Sequence, residues 1–552
     1  MSSIRLSFRL IALGGLAYAL YESQRTAPAL AACAAAGRSP APLGAGAAPG
    51  SVEGTSWALA PAAEVARSGE APPLPSTVKV DRLRCRLSAR RNTWAAATAA
   101  LALGGASVHP AFGVAAGFVG AGSYQALMRP PFAVTDETAH VTYIHELAHH
   151  GWAPSARAPW PTAYVNAVVD AMGAFDQGHA PRGMMFYQGF QPPVGYLPSA
   201  ILLRLLEMTS AGLCTTFLAL RLFGVAMVGL GLGLFVCAQG RLAGFCPAVD
   251  PVACALTTLA LSLSPAFLNV MSVITNDQVC LLVLGMVAMV ATGLLRRPTS
   301  DGAWIRLGLL NAMTWLSKLT WLSVPAVSLM VTYRWHRRRL PAVMLTMAVL
   351  VTPWHLSNLV TYHAITGTRA HLAAVLPLLN PTHASITWLR LLTEGVSQYF
   401  FGFFRGDPSS CASLALQVDL GLAILASATF GLARGAAQWR SCFVDRQAGP
   451  REVHLQDWLL LCCSTVLLFP YLLTSLLTAK TGGWFVTARY GFAFVGGLAV
   501  LLTVSGRFLG LSKRGIRCLA VAMLVAVCID TARSAGALLH LRDPASNQLV
   551  AR

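Results

Sequence analysis

Two adjacent carboxylates, Asp136 and Glu137, open the most chemically capable stretch of the chain, with His140 and Tyr143 close behind. A helix with Thr135 as its N-cap puts Asp136, His140 and Tyr143 on one face at i, i+4 and i+7, with Glu137 beside them. A carboxylate at the water interface of a membrane cavity can accept a proton from an incoming hydroxyl or amine, while His or Lys balances an anionic phosphate. The plainer alternative is that the two acids simply occupy a first helical turn, where the macrodipole favours them. More polar groups follow. Tyr187, Gln188, Gln191 and Tyr196 surround Pro192 and Pro193, a rigid turn into a helix that ends near Arg204 and Glu207. Thr275, Asn276 and Asp277 form a second group, Trp354, His355 and Asn358 a third, and Arg489 with Tyr490 a fourth. Alone, each is bland: interfacial Trp and Tyr belong to an aromatic belt, and a terminal Arg usually snorkels. Lys318 is the exception, because an ammonium buried in a membrane is costly unless it faces a cavity, an anion or water.

A competing motif lies a few residues on. His145-Glu146-Leu147-Ala148-His149 has the H-E-x-x-H spacing that puts two imidazoles on one helix face for zinc, with the Glu as general base. A zinc protease needs a third ligand, and His150, His179 and Asp176 stand at no recognisable spacing for it. Coincidence within a longer polar helix is the better reading, which leaves His145 and His149 as surface histidines near lipid headgroups.

The elements that must position these residues are membrane spans. Hydrophobic residues make up 55% of the 552, charged residues only 11%, and the mean hydropathy is +0.57, which excludes an ordinary water-soluble domain. A net charge of +19 would suit a nucleic-acid binder, but its distribution argues otherwise. Arg296 and Arg297, then Arg334, Arg337, Arg338 and Arg339, then Arg434, Arg440 and Arg446, then Arg507, Lys513, Arg514 and Arg517 all punctuate apolar runs. That is the pattern of cytoplasmic loops, with the bilayer and not nucleic acid as partner. The 13 Cys show no metal-finger spacing, and most sit within apolar runs as small hydrophobes.

Apolar runs near 93–128, 213–238, 249–268, 278–295, 341–357, 411–432, 456–478, 485–506 and 515–533 are long enough to span. The run 305–333 has basic flanks at both ends, so it is expected to be two short helices turning near Ser317 and Lys318. The fold expected is all-α and polytopic, with about eleven spans. Loops 129–212, 358–410 and 479–486 then fall outside, and the Arg-rich loops in the cytoplasm. Residues 1–90 are Ala/Pro/Gly-rich and read as a disordered leader; residues 91–535 form the membrane domain and 536–552 a tail. Residues 1–20 could instead be a signal peptide, but Arg82, Arg84, Arg86, Arg90 and Arg91 favour a cytoplasmic leader before the first span.

Pro-Pro-Phe followed by Asp136-Glu137-Thr-Ala-His140 and Tyr143-Ile144, then Gln191-Pro192-Pro193 with Tyr196, resembles the GT-C superfamily of membrane glycosyltransferases. Protein O-mannosyltransferases and lipid A aminoarabinose transferases belong to it. Thr275-Asn276-Asp277, Ser317-Lys318-Leu319-Thr320, Pro353-Trp354 with Asn358, Tyr399 to Phe404, and Arg489-Tyr490 follow in the expected order, most like a bacterial branch of the superfamily. The resemblance runs from about residue 125 to 505 and rests on the ordered set of motifs. It implies inverting transfer of a sugar from a polyprenyl-phosphate donor to an acceptor on the outer face of a cell membrane, in bacteria the inner one. It also implies Asp136 as the general base and Glu137 as its catalytic neighbour, with Glu137 and His140 orienting acceptor or phosphate. Lys318 and Arg489 would hold the donor phosphate; Tyr143, Gln191, Tyr196, Asn276 and Asp277 would line the substrate site. Several members work without a metal, so no cofactor is expected. The long leader and Phe403-Phe404-Arg405 depart from the family pattern. A carrier or flippase for a lipid-linked glycan is the other reading; against it stand the absence of an internal repeat, the long outer loop, and charges gathered at one face instead of the midplane.

Overall fold

The computed structural model describes residues 91–129, 131–132, 136–151, 163–172, 187–296, 301–366, 389, 391–404, 411–444, 455–481 and 486–540. The expected leader, the expected tail from residue 541 and Arg405 lie outside these. Among the described residues the ordered structure is helical, without strands. The helices are α1 Arg91–Val108, α2 Pro110–Met128, α3 Glu137–His150, α4 Ala163–Met172, α5 Leu197–Met208, α6 Leu213–Ala243, α7 Pro251–Ser262 and α8 Pro265–Met271. They continue with α9 Asp277–Arg296, α10 Asp301–Ser317, α11 Ser323–His336, α12 Leu340–Tyr362, α13 Val396–Phe400, α14 Cys411–Val444, α15 Leu455–Thr481, α16 Val495–Phe508 and α17 Lys513–His540.

Among the described residues six helices are long and apolar enough to cross a membrane, or seven if the bent pair α7–α8 is one span. The chain is a multi-pass, all-helical membrane protein on that ground. Large apolar side chains such as Leu230, Val349, Val360 and Leu472 stand exposed on the outward helix faces, where lipid would replace water as their solvent. Glycines let the spans approach. A Cβ on Gly285 of α9 would meet the Gly231 carbonyl oxygen of α6 at 2.6 Å, so this backbone contact excludes any side chain.

The expected count of about eleven spans is not reproduced, and the largest difference lies at its start. Residues 93–128 are not one span but the hairpin α1–α2, in which Trp94 Nε1 donates to the Gly120 carbonyl at 2.8 Å. His109 breaks the run: its Nδ1 accepts from the Ala111 N–H at 3.1 Å, and Pro110 at the first position of α2 cannot continue α1. The start of α1 at Arg91 therefore lies at the same end of the bundle as Met128. The hairpin thus brings Arg91 and the close of α2 to one end, where a single span would separate them.

Two other expectations hold. The run 305–333 is divided into α10 and α11 at extended Lys318, and loop 129–212 carries the helices α3, α4 and α5. The run 249–268 also breaks, with a 69° bend where Ser264 caps α8 ahead of Pro265. Helix directions define two ends of the bundle. One end gathers the close of α2, α8, α10 and α12 and the start of α3, α6, α9 and α11. The opposite end carries Arg241, Arg337 to Arg339, Arg434, Arg507 and Lys513 to Arg517, and is called here the arginine-rich end.

Candidate active site

Four charged side chains from four separate parts of the chain meet at the first end. Arg489, on the 3₁₀ turn Ala488–Phe494 that leads into α16, is their hub. Its Nη1 donates to Asp136 Oδ2 at 2.8 Å, its Nε to Asp277 Oδ2 at 2.9 Å, and its Nη2 lies 2.9 Å from His140 Nε2. Lys318 Nζ donates to the other oxygen of Asp277 at 2.5 Å and sits 5.1 Å from the centroid of the Tyr490 ring. Two carboxylates therefore balance two cations.

Local chemistry explains each placement. Asp277 opens α9, where the unpaired N–H groups and the dipole favour an anion. It is fully buried, and the two cations on it offset the cost of taking its charge out of water. Lys318 interrupts the α10–α11 hairpin at its tip in an extended conformation, and its ammonium is buried against Asp277, the kind of anionic partner a buried charge needs. Asp136 caps α3 in the left-handed region, φ 75°, without a side-chain capping hydrogen bond. That strain leaves its carboxylate directed to Arg489 instead of serving as an ordinary cap. It is the most exposed of the four: 28% for its side chain, against 15% for Arg489, 6% for Lys318 and none for Asp277.

His140 is buried and its protonation is fixed by its neighbours. Burial first, and Arg489 second, push its pKa down from 6.5 to about 3, so the ring is neutral at physiological pH. A guanidinium can only donate, so Nε2 accepts from Arg489, and the proton belongs on Nδ1, which faces Tyr196 Oη at 2.9 Å. His140 thus orients Arg489. Tyr196 stacks on Tyr143, centroids 4.0 Å apart, and Tyr143 Oη donates to the Gln191 carbonyl at 2.7 Å. These contacts fasten the turn before α5 onto α3. On its other side Asn276 Nδ2 donates to the Ser317 carbonyl at 3.3 Å, next to Lys318. A Cβ on Gly195 would stand 2.8 Å from that carbonyl oxygen and 3.0 Å from Asn276 Cβ. Gly195→Ala is expected to wedge the turn off α10 and lower stability by about 1–3 kcal/mol, read as a drop in the thermal unfolding midpoint in detergent; an unchanged midpoint would show that the turn floats.

Of the sequence-derived candidates, Asp136, His140, Asp277, Lys318 and Arg489 form one connected network, with Tyr196 attached through His140. Tyr143, Gln191 and Asn276 support its walls. Glu137 points elsewhere. It is fully buried, and its two oxygens accept four hydrogen bonds: from Arg221 Nε at 2.8 Å and Nη2 at 2.6 Å, and from the Phe132 and Ile274 N–H groups at 3.0 Å each. Arg221 stands outside the sequence-derived candidates, although a charge eight residues into the apolar run from 213 is itself a signal. Among the described residues no group of three His, Cys, Asp or Glu is arranged to hold a metal ion. In the H-E-x-x-H segment, His149 Nε2 pairs with Glu207 Oε1 at 2.9 Å, and Arg204 approaches both residues at 3.4 Å. The Arg204 guanidinium already answers the Glu207 carboxylate, so among the described residues His149 and Glu207 are engaged with each other and with Arg204. His179 and Asp176 lie outside the described residues.

The fold and site define a multi-pass helical membrane protein with an ion network at one end of its bundle. No family model matches the chain, and no curated protein matches it. Among solved structures it is similar to ArnT from Cupriavidus metallidurans bound to undecaprenyl phosphate, at 15% identity over 77% of each chain with a TM-score of 0.31. A superposition that loose carries no argument about fold or ligand.

Proposed function

We propose that this protein is a membrane glycosyltransferase that moves a sugar from a polyprenyl-phosphate donor to an acceptor at the end of the bundle that holds the ion network, the end we take to face away from the cytoplasm. One observation carries the reading: a water-accessible carboxylate, Asp136, held by one of two cations that sit deeper in the same network. The acceptor oxygen attacks the anomeric carbon, the bond from that carbon to the phosphate oxygen breaks, and the acceptor proton passes to Asp136. The leaving polyprenyl phosphate keeps the electron pair, its charge stabilised by Lys318 and Arg489. Glu137, with every lone pair engaged, serves as the clamp that positions Asp136 and not as a second base.

The network also orders the steps. Arg489 is bound to Asp136 at rest, so an arriving phosphate competes for the same N–H groups. Once released, Asp136 has lost a neighbouring positive charge and holds a proton more tightly. Donor binding would thereby prime the base. Asp277, gripping both cations from behind, keeps them in place during the exchange.

Lys318→Met tests the phosphate site. It removes one charge-assisted bond, and the affinity for a labelled polyprenyl-phosphate sugar in nanodiscs is expected to fall roughly 10- to 100-fold. The protein should still unfold cooperatively. Unchanged donor affinity in a folded variant would reduce Lys318 to a structural partner of Asp277 and remove half of the proposed phosphate site.

A further inference from the structure

A cavity of about 230 Å³ lies between α9, α10, α11 and α15, toward the arginine-rich end and away from the ion network. Its walls are apolar, with Ala288, Ala291, Val327, Val331 and Cys462 among them. The hydroxyls that border it are already engaged. Thr292 donates to the Ala288 carbonyl at 2.7 Å, Thr332 to the Ser328 carbonyl at 2.8 Å, and Ser328 Oγ accepts from Asn311 at 2.8 Å. Water has little to bond in such a space, and apolar cavities of this kind take hydrocarbon. An engineered apolar cavity of about 150 Å³ holds benzene; this one has room for a segment of an alkyl chain whose remainder runs into the bilayer.

Two further features stand at the arginine-rich end of the cavity. Trp304, in the first turn of α10, lines it beside His336, their rings 4.9 Å apart. Trp304 is only 2% exposed, yet its indole Nε1–H has no acceptor. That N–H has no open surface of its own, so the Trp304 ring meets the cavity through its carbons and extends the apolar wall toward the headgroup level. Directly after His336 come Arg337 and Arg338, both exposed, and Arg339, which pairs with Asp301. Three cations against that single acid favour an anionic headgroup.

We infer that this cavity binds one acyl chain of an anionic phospholipid drawn from the leaflet at the arginine-rich end, with Arg337 and Arg338 on the phosphate. The site is separate from the ion network, and its test does not depend on sugar transfer.

The full-length protein would be reconstituted in nanodiscs of mixed phosphatidylglycerol and phosphatidylcholine, and retained lipid counted by native mass spectrometry after release into detergent. The wild type is expected to keep one phosphatidylglycerol, with about tenfold preference over phosphatidylcholine. The double variant Ala288→Phe, Ala291→Phe fills the cavity and should lose most of that lipid. Arg337→Gln with Arg338→Gln should keep a lipid but bind the two headgroups equally. Wild-type retention in the filled variant, with wild-type unfolding temperature, overturns the proposal. If the filled variant fails to fold, the surface arginine pair decides: an unaltered headgroup preference overturns it, and an abolished one supports it.

Discussion

Glu137→Ala is expected to destabilise the protein by about 3–5 kcal/mol, the usual cost of leaving one half of a buried ion pair without its partner. Arg221 is fully buried; its Nε and Nη2 grip Glu137 while its Nη1 donates to the carbonyls of Ala126 at 2.9 Å and Arg129 at 2.7 Å. Those carbonyls belong to the end of α2, where a helix leaves its oxygens unpaired. Glu137 in turn holds the N–H groups of Phe132 and Ile274. One ion pair therefore joins the end of α2, the start of α3, α6, and the segment before α9. Removing the carboxylate strands a guanidinium in the interior and frees two buried N–H groups. The comparison that checks this is chemical unfolding in detergent of the wild type, Glu137→Ala, Arg221→Met and the double variant. The double variant should be less destabilised than the sum of the singles, because it leaves no unpaired charge. Additive losses would mean that the pair does not act as a unit. A Glu137→Ala protein of wild-type stability that had lost only turnover would return Glu137 to catalysis.

Asp136→Asn carries the largest expected effect on chemistry, a fall in transfer rate of about 10²- to 10⁴-fold, the span that general-base removal typically costs. The substitution is nearly isosteric, and the amide oxygen can still accept from Arg489 Nη1, so the hub should keep its geometry. What is lost is the capacity to take a proton. Donor affinity should hold or rise slightly, since the phosphate then competes with a neutral amide for Arg489. A parallel loss of donor binding and rate would instead mark Asp136 as a structural anchor of Arg489.

How much of this was legible in the sequence depends on the kind of signal. Composition and the length of the apolar runs read the membrane class directly, and the basic flanks of 305–333 placed the α10–α11 break at Lys318. The helical spacing of Asp136, His140 and Tyr143 also predicted their shared face, although the helix begins at Glu137 with Asp136 as its cap. The α1–α2 hairpin was hidden because an apolar run carries no charge at its midpoint to mark a turn. The marker there was His109-Pro110, a break signalled by backbone chemistry and not by hydropathy. Asp136 and Glu137 are adjacent, but sequence adjacency says nothing about direction. Asp136 is a left-handed cap and faces Arg489, while Glu137 opens the helix and faces Arg221, a lone charge in an apolar run. The pairing of Asp277 with Lys318 and Arg489 could not be read at all: it joins residues 41 and 212 positions apart, and single-sequence patterns carry no information at that range.

The measurement that tests the central claim most directly is sugar transfer by purified protein in lipid nanodiscs. Radiolabelled polyprenyl-phosphate sugars would be supplied with a membrane lysate as the source of acceptor, for the wild type and Asp136→Asn, each with and without a strong zinc chelator. The account predicts label transfer by the wild type that persists in chelator and is lost in Asp136→Asn while the donor still binds. Donor binding without transfer in the wild type would contradict it in favour of a carrier, and chelator-sensitive proteolysis dependent on Glu146 would contradict it in favour of a zinc enzyme.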